Sequence, residues 1–311
     1  SQALVWIILF TTIGGSKASS TDFDSLKNAP IVDSPKARYH SNSDKVKSAY
    51  YLYKSSVNSK RAVIILHGGG AHSLAGYQHI ANSLSKEYQT NVYSYDLRGH
   101  GRSQGKRGDS PKSDTINKDL KSFINFVKNE NEKVYVLGHS SGAGLALNYS
   151  SWRKHTEVDG YFFISPQFGY KSKTERDIPS TPAFATIDLY KFIISSTSLG
   201  LLYGNSHAVH FNYPESVLDR DSLLNTSITV NMSLAMTPQK PIKQFKKLKR
   251  RYALFIGNRD NLLDPNKVIS YCDYSTDEIK LNSKCETFDE GHLSILLSIG
   301  EKVGETILDW Q

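Results

Sequence analysis

Five residues, Gly138-His139-Ser140-Ser141-Gly142, constrain this chain more than any other stretch. Val134 to Leu137 runs apolar into them and Ala143 to Leu147 runs apolar out, which predicts a buried strand turning sharply into a helix. Glycines at both ends let the backbone tighten without Cβ clashes, and such a turn lifts the central hydroxyl off the sheet edge. Ser140 is therefore the candidate nucleophile.

The flanking sequence predicts the sheet this turn requires. Ala49 to Tyr53 reads as an early antiparallel strand, and Ala62 to Leu66 is a continuous apolar run of the kind buried in a parallel sheet. A helix is predicted from roughly Gly76 to Tyr88, a strand over Asn91 to Tyr95, and a helix over Thr115 to Asn129 with Ile116, Leu120, Phe123, Ile124 and Val127 on one face. Lys133 to Leu137, Gly160 to Ile164, Tyr252 to Ile256 and Cys285 to Phe288 complete the strands, ahead of an amphipathic C-terminal helix. Alternation at this spacing means βαβ units, so the expected class is α/β with a mostly parallel sheet flanked by helices. From about Ser165 to Thr237 the alternation breaks. An unstructured loop of that length is improbable in a compact domain, so an inserted helical cap is expected over 165–237, between core parts at 19–164 and 238–311. Ser19 to Lys47 lacks periodicity and reads as an extended lead-in.

A serine hydroxyl needs a base to take its proton, an acid to orient that base, and donors for the oxyanion. Asp260 follows the strand ending at Ile256 and lies on the same rim as the turn, which makes it the candidate acid; Asp264 is the rival, farther from the strand end. His292 sits in the loop between the last strand and the C-terminal helix and is the candidate base. The chain order Ser, Asp, His is that of the α/β-hydrolase triad. The oxyanion donors are expected to be the backbone amides of Ser141 and of Gly69, in the turn His67-Gly68-Gly69-Gly70. That turn lacks the Lys-Ser/Thr ending of a phosphate-binding loop. No metal or cofactor is required.

Composition narrows the setting. A hydrophobic share of 39% and a charged share of 22% exclude a disordered or multi-span membrane chain. The net charge of +8 raises nucleic acid or anionic membrane as partners. Part of it lies in Lys240 to Arg251, where Ile242, Phe245 and Leu248 at helical spacing predict an amphipathic helix with a solvated basic face. No nucleic-acid signature accompanies it, so no nucleic acid partner is expected. Ala3 to Ile13 is apolar, too short to span a bilayer, and followed by Ser16 and Ala18 at the spacing a signal peptidase reads. Residues 1–18 are accordingly expected to be an export signal, for a secreted or periplasmic protein, with an uncleaved membrane anchor or a buried helix as alternatives. The two cysteines, Cys272 and Cys285, are close enough in sequence for one disulfide or for two reduced thiols. The N-x-S sequons at Asn148, Asn225 and Asn231 read as chance occurrences in a chain rich in Asn and Ser.

Together His67-Gly-Gly-Gly-Ala-His72, Tyr77, Asp96-Leu-Arg-Gly-His-Gly-Arg-Ser103, Gly105 to Gly108, the serine turn, Asp260 and Gly291-His292 resemble the monoacylglycerol lipase and lysophospholipase branch of α/β hydrolases, also called serine aminopeptidase S33-like. The likeness is dense from Ala62 to Leu147 and sparse through the insert. It departs at Ala71, where the family usually carries Glu. It implies a cap forming an apolar channel for one acyl chain, with a polar end for a small alcohol. Phe184, Leu189, Phe192, Ile193, Leu199, Leu201, Leu202 and Phe211 provide enough apolar surface to line such a channel, or to pack the insert's own core. The expected substrate is thus a carboxylic ester of a single-chain lipid, with transient membrane-surface contact through the cap or the basic stretch. The same fold and triad also serve peptidases and thioesterases, and a non-catalytic binding protein on this scaffold is the remaining alternative. Serine in the turn disfavours a haloalkane dehalogenase, which uses Asp there.

Overall fold

The computed structural model describes residues 20–177 and 183–311. The segment expected to be an export signal lies outside the described residues. In chain order the first half contains α1 (Ser20–Lys27), β1 (Arg38–Ser41), β2 (Lys47–Tyr53), β3 (Arg61–Leu66), α2 (Tyr77–Lys86), β4 (Asn91–Tyr95), α3 (Thr115–Lys128), β5 (Lys133–His139), α4 (Ser141–Ser151) and β6 (Gly160–Ile164). The insert adds β7 (Ala185–Ile187), α5 (Leu189–Thr197), β8 (His207–Phe211), α6 (Glu215–Leu218), β9 (Ser227–Thr229) and α7 (Val230–Met236). The chain closes with α8 (Pro241–Phe245), β10 (Tyr252–Gly257), α9 (Pro265–Ile269), α10 (Asp277–Leu281), β11 (Lys284–Phe288) and α11 (Ile295–Asp309).

Eight strands form one sheet in the order β1-β2-β4-β3-β5-β6-β10-β11. β1 with β2 and β2 with β4 are antiparallel; the remaining pairs are parallel. The continuous apolar runs of β3 and β5 follow from this placement, because a central parallel strand is covered on both faces. Val63, Ile65, Tyr135 and Leu137 pack beneath α2 and α11, whereas Ala62, Ile64, Leu66, Val134 and Val136 face the helices of the other layer, α3 and α4 among them. The carboxyl ends of β3, β5 and β10 lie together, which gathers the loops after Leu66, His139 and Gly257 on one rim. No helix among the described residues is long and apolar enough to cross a membrane.

Three expectations need amending. The excursion over 165–237 contains the expected helices, but also an antiparallel sheet, β7-β8-β9, whose strands run to five residues at most. Strands this short show too little alternation to be read locally. The lead-in at 19–47 is not wholly extended, since it holds the helix α1 ahead of the strand β1. The basic stretch 240–251 forms only the short α8. Like charges at helical spacing, such as Lys243 with Lys247 and Lys246 with Arg250, oppose a longer helix, while Phe245 and Leu248 are buried and the lysines stay exposed.

Cys272 and Cys285 form a disulfide, with 6.6 Å between their Cα atoms. The sequon asparagines are engaged internally: the side-chain amides of Asn148, Asn225 and Asn231 donate to the carbonyls of Ala235, Gly99 and Pro111.

Candidate active site

Ser140 stands at the β5–α4 turn with φ 53° and ψ −124°, a backbone state that costs a non-glycine residue roughly 1–3 kcal/mol. Contacts on both sides hold it there. Its amide donates to the Ile164 carbonyl at 3.0 Å, and its carbonyl accepts from Ala143 and Gln167 at 3.0 Å each. The flanking glycines are required by close approach. A Cβ on Gly138 would run into the Gly142 carbonyl, and one on Gly142 into the Leu66 carbonyl.

The structure brings Ser140, His292 and Asp260 into one hydrogen-bonded line. His292 Nε2 lies 3.0 Å from Ser140 Oγ, and Nδ1 lies 2.7 Å from Asp260 Oδ2. Because a carboxylate can only accept, the proton sits on Nδ1 and Nε2 is free to take the serine proton. Asp260, with 0% exposure, also accepts at Oδ1 from the amides of Leu262 and Leu263, both at 2.9 Å. Burial pushes its carboxyl upward, but His292 and these amides outweigh burial and hold it below the usual carboxylate value. For His292 burial pulls downward, and the Asp260 carboxylate outweighs it and raises the imidazole above its ordinary value. Asp264 does something else: it caps α9, accepting from the amides of Asn266 and Lys267 at 2.9 and 3.2 Å.

The glycine turn after β3 lies against this line. A Cβ on Gly68 would stand 3.3 Å from Ser140 Cβ, and one on Gly69 would stand 3.4 Å from Ser141 Oγ. Gly69 and Ser141 are thus neighbours, and neither backbone amide donates to another group among the described residues. His100 Nε2 lies 2.9 Å from the Gly69 carbonyl, and His67 accepts from the Leu97 amide at Nε2, so the two histidines anchor the turn to the loop after β4.

Two residues acquire a part that spacing alone does not reveal. His139 Nε2 lies 2.9 Å from the His292 carbonyl, which can only accept, so this nitrogen carries the proton and Nδ1 is an acceptor. The Tyr77 hydroxyl, 2.9 Å from Nδ1, therefore donates to it, and accepts in turn from the Gly68 amide at 2.8 Å. Burial pulls His139 down to about 3, which keeps it neutral, and pushes the Tyr77 phenol up. This wire connects the glycine turn, the serine turn and the histidine loop. The only sequence signal for it is that Tyr77 and His139 fall inside the family-like motifs.

A family model described as serine aminopeptidase, S33 matches residues 57–282, a span that includes Ser140 and Asp260. The chain is an α/β hydrolase of that family. This hydrolase is 25% identical to the monoglyceride lipase of Rattus norvegicus over 218 residues, which cover 68% of the chain and 69% of the rat protein. It is 29% identical over 187 residues to the uncharacterized protein YnbC of Escherichia coli strain K12, covering 57% of this chain but only 29% of that longer protein. In structure it resembles a soluble variant of monoglyceride lipase from Saccharomyces cerevisiae, solved in complex with a substrate analog. The TM-score is 0.67 at 16% identity, over 90% of this chain and 95% of the other. The esterase and lipase likeness of this hydrolase is therefore carried by sequence, and the structural likeness shows the shared fold.

Proposed function

We propose that this hydrolase cleaves the carboxylic ester of a single-chain lipid, a monoacylglycerol or lysophospholipid, through an acyl-enzyme. Ser140 Oγ attacks the carbonyl carbon as His292 Nε2 takes its proton, and the buried Asp260 carboxylate holds the imidazolium. The Gly69 and Ser141 amides hold the oxyanion. His292 then returns the proton to the leaving alcohol, and water, activated by the same nitrogen, releases the fatty acid. The observation that carries this reading is the line from Asp260 through His292 to Ser140, with its proton positions fixed by the carboxylate.

The lipid side rests on the insert, which we read as the cap. Leu199 is 92% exposed and Leu201 87%, and Ile187, Leu189, Ile193 and Leu202 are exposed on the same segment. Apolar surface on this scale suits transient contact with a lipid interface, from which a single-chain ester would be drawn. The monoglyceride lipases of rat and yeast among its relatives support the same substrate class. The disulfide fits a secreted or periplasmic protein, since such bonds persist in oxidising compartments.

The test is labelling by a fluorophosphonate probe followed by a substrate panel. Wild type is expected to label and Ser140→Ala not to; an unlabelled wild type overturns the serine mechanism. Turnover of monoacylglycerols or lysophospholipids above that of aminoacyl amides is expected, and the reverse order overturns the lipid reading.

A further inference from the structure

The short helix α1, far from the triad in sequence, contributes two successive side chains to its surroundings. The Asp22 carboxylate accepts from the amides of Leu293 at 2.9 Å and Ser294 at 3.1 Å, the two residues that follow His292. These amides lead into α11, where the first N–H groups lack intrahelical acceptors and the helix dipole favours a negative charge. Gly291, on the other side of His292, is packed against the same carboxylate: a Cβ there would stand 2.6 Å from Asp22 Oδ1. One carboxylate thus grips the chain before and after the histidine. Phe23 packs tilted against Phe184 and edge-to-face against Tyr213 of the insert, at 5.8 and 5.9 Å between ring centroids. Those rings pack on Phe211, which stands 2.7 Å from where a Cβ on Gly69 would lie.

We propose that α1 belongs to the catalytic apparatus: Asp22 is a positioning residue that holds the His292 loop in register with Ser140, and Phe23 ties that loop to the aromatic wall above Gly69. The inference rests on reading His292 as the base. The groups facing His292 are Asp260 from the loop after β10, neutral His139 and Ser140 at the end of β5, and Asp22 from α1. Asp22 adds to the negative charge that favours the imidazolium. Nothing else among the described residues accepts from the Leu293 and Ser294 amides, so loss of the carboxylate frees the backbone next to the base.

The test uses the full chain and a p-nitrophenyl ester, with kcat and KM measured across pH and folding followed by thermal melting. Asp22→Ala is expected to lower kcat about tenfold with KM within about twofold, because small displacements of a catalytic group cost rate steeply. Asp22→Asn keeps one acceptor oxygen and removes the charge. It should recover part of kcat, while the acid limb of kcat/KM moves to lower pH because the base becomes less basic. Should Asp22→Ala fail to fold, Asp22→Asn alone decides through its pH limb. Wild-type kcat per folded enzyme together with an unmoved acid limb overturns the proposal, even if melting temperature falls. Absence of ester turnover by wild type, or its persistence in Ser140→Ala, instead overturns the reading of the site.

Discussion

Replacing Tyr77 by Phe removes one oxygen, and the structure says what that oxygen does. The side chain is 1% exposed, so no bulk water takes the hydroxyl's place. The Gly68 amide loses its acceptor and His139 Nδ1 loses its donor. Each buried polar group left without a partner costs about 1–3 kcal/mol, so the substitution is expected to destabilise by about 2–6 kcal/mol. At roughly 2 °C per kcal/mol for a domain of this size, the melting temperature should fall by about 4–12 °C. Catalysis should suffer separately, because the amide released is next to Gly69 and the imidazole released holds the His292 carbonyl. A kcat loss of about tenfold is expected on esters, measured at a temperature where the variant is folded. Pairing Tyr77→Phe with His139→Phe provides the sharper check. Both variants break the same hydrogen bond, so the double variant should be less destabilised than the sum of the singles. Melting within about 1 °C of wild type, or strict additivity in the cycle, would refute the wire.

The two aspartates should separate cleanly: Asp260→Asn is expected to abolish most ester turnover, whereas Asp264→Asn should leave both kcat and melting near wild type, because Asn keeps the oxygen that caps α9. The pH profile of kcat/KM should show an acid limb above the ordinary histidine value near 6.5, since the protonated base cannot take the Ser140 proton and Asp260 raises His292. His292 affects stability in the opposite sense: its pairing with Asp260 contributes fully below the unfolded value and fades as pH rises through the raised folded one, which pH-dependent denaturation will detect. Opening the disulfide, by reductant or by Cys272→Ser, should cost about 3 kcal/mol for so short a loop and leave the triad in place, so melting should fall while kcat holds.

The parts of this molecule that were legible in the sequence are those whose cause is local. β3 and β5 read as strands because both their faces are buried, and the serine turn reads as a turn because Gly138 and Gly142 sit where no Cβ fits. Asp260 and His292 were reachable because each follows a strand recognisable by itself, and loops after parallel strands share a rim. The choice of Asp260 over Asp264 rested on distance from that strand, and the geometry supplies the reason: only the nearer carboxylate meets the imidazole, while the farther one starts a helix. What stayed illegible depends on contacts between remote, individually weak segments. The helix α1 has only eight residues and no apolar period, and its own Asp22 and Phe23 hold it, the first to the histidine loop and the second to the insert. The sheet β7-β8-β9 consists of strands too short to announce themselves, yet it carries Phe211 over the glycine turn. The aromatic wall draws Phe23, Phe184 and the pair Phe211 and Tyr213 from three separate stretches of chain. Chemistry in this fold is therefore written in strand-proximal loops with strong local signatures, whereas the support of the histidine loop and the glycine turn comes from contacts between segments remote in sequence.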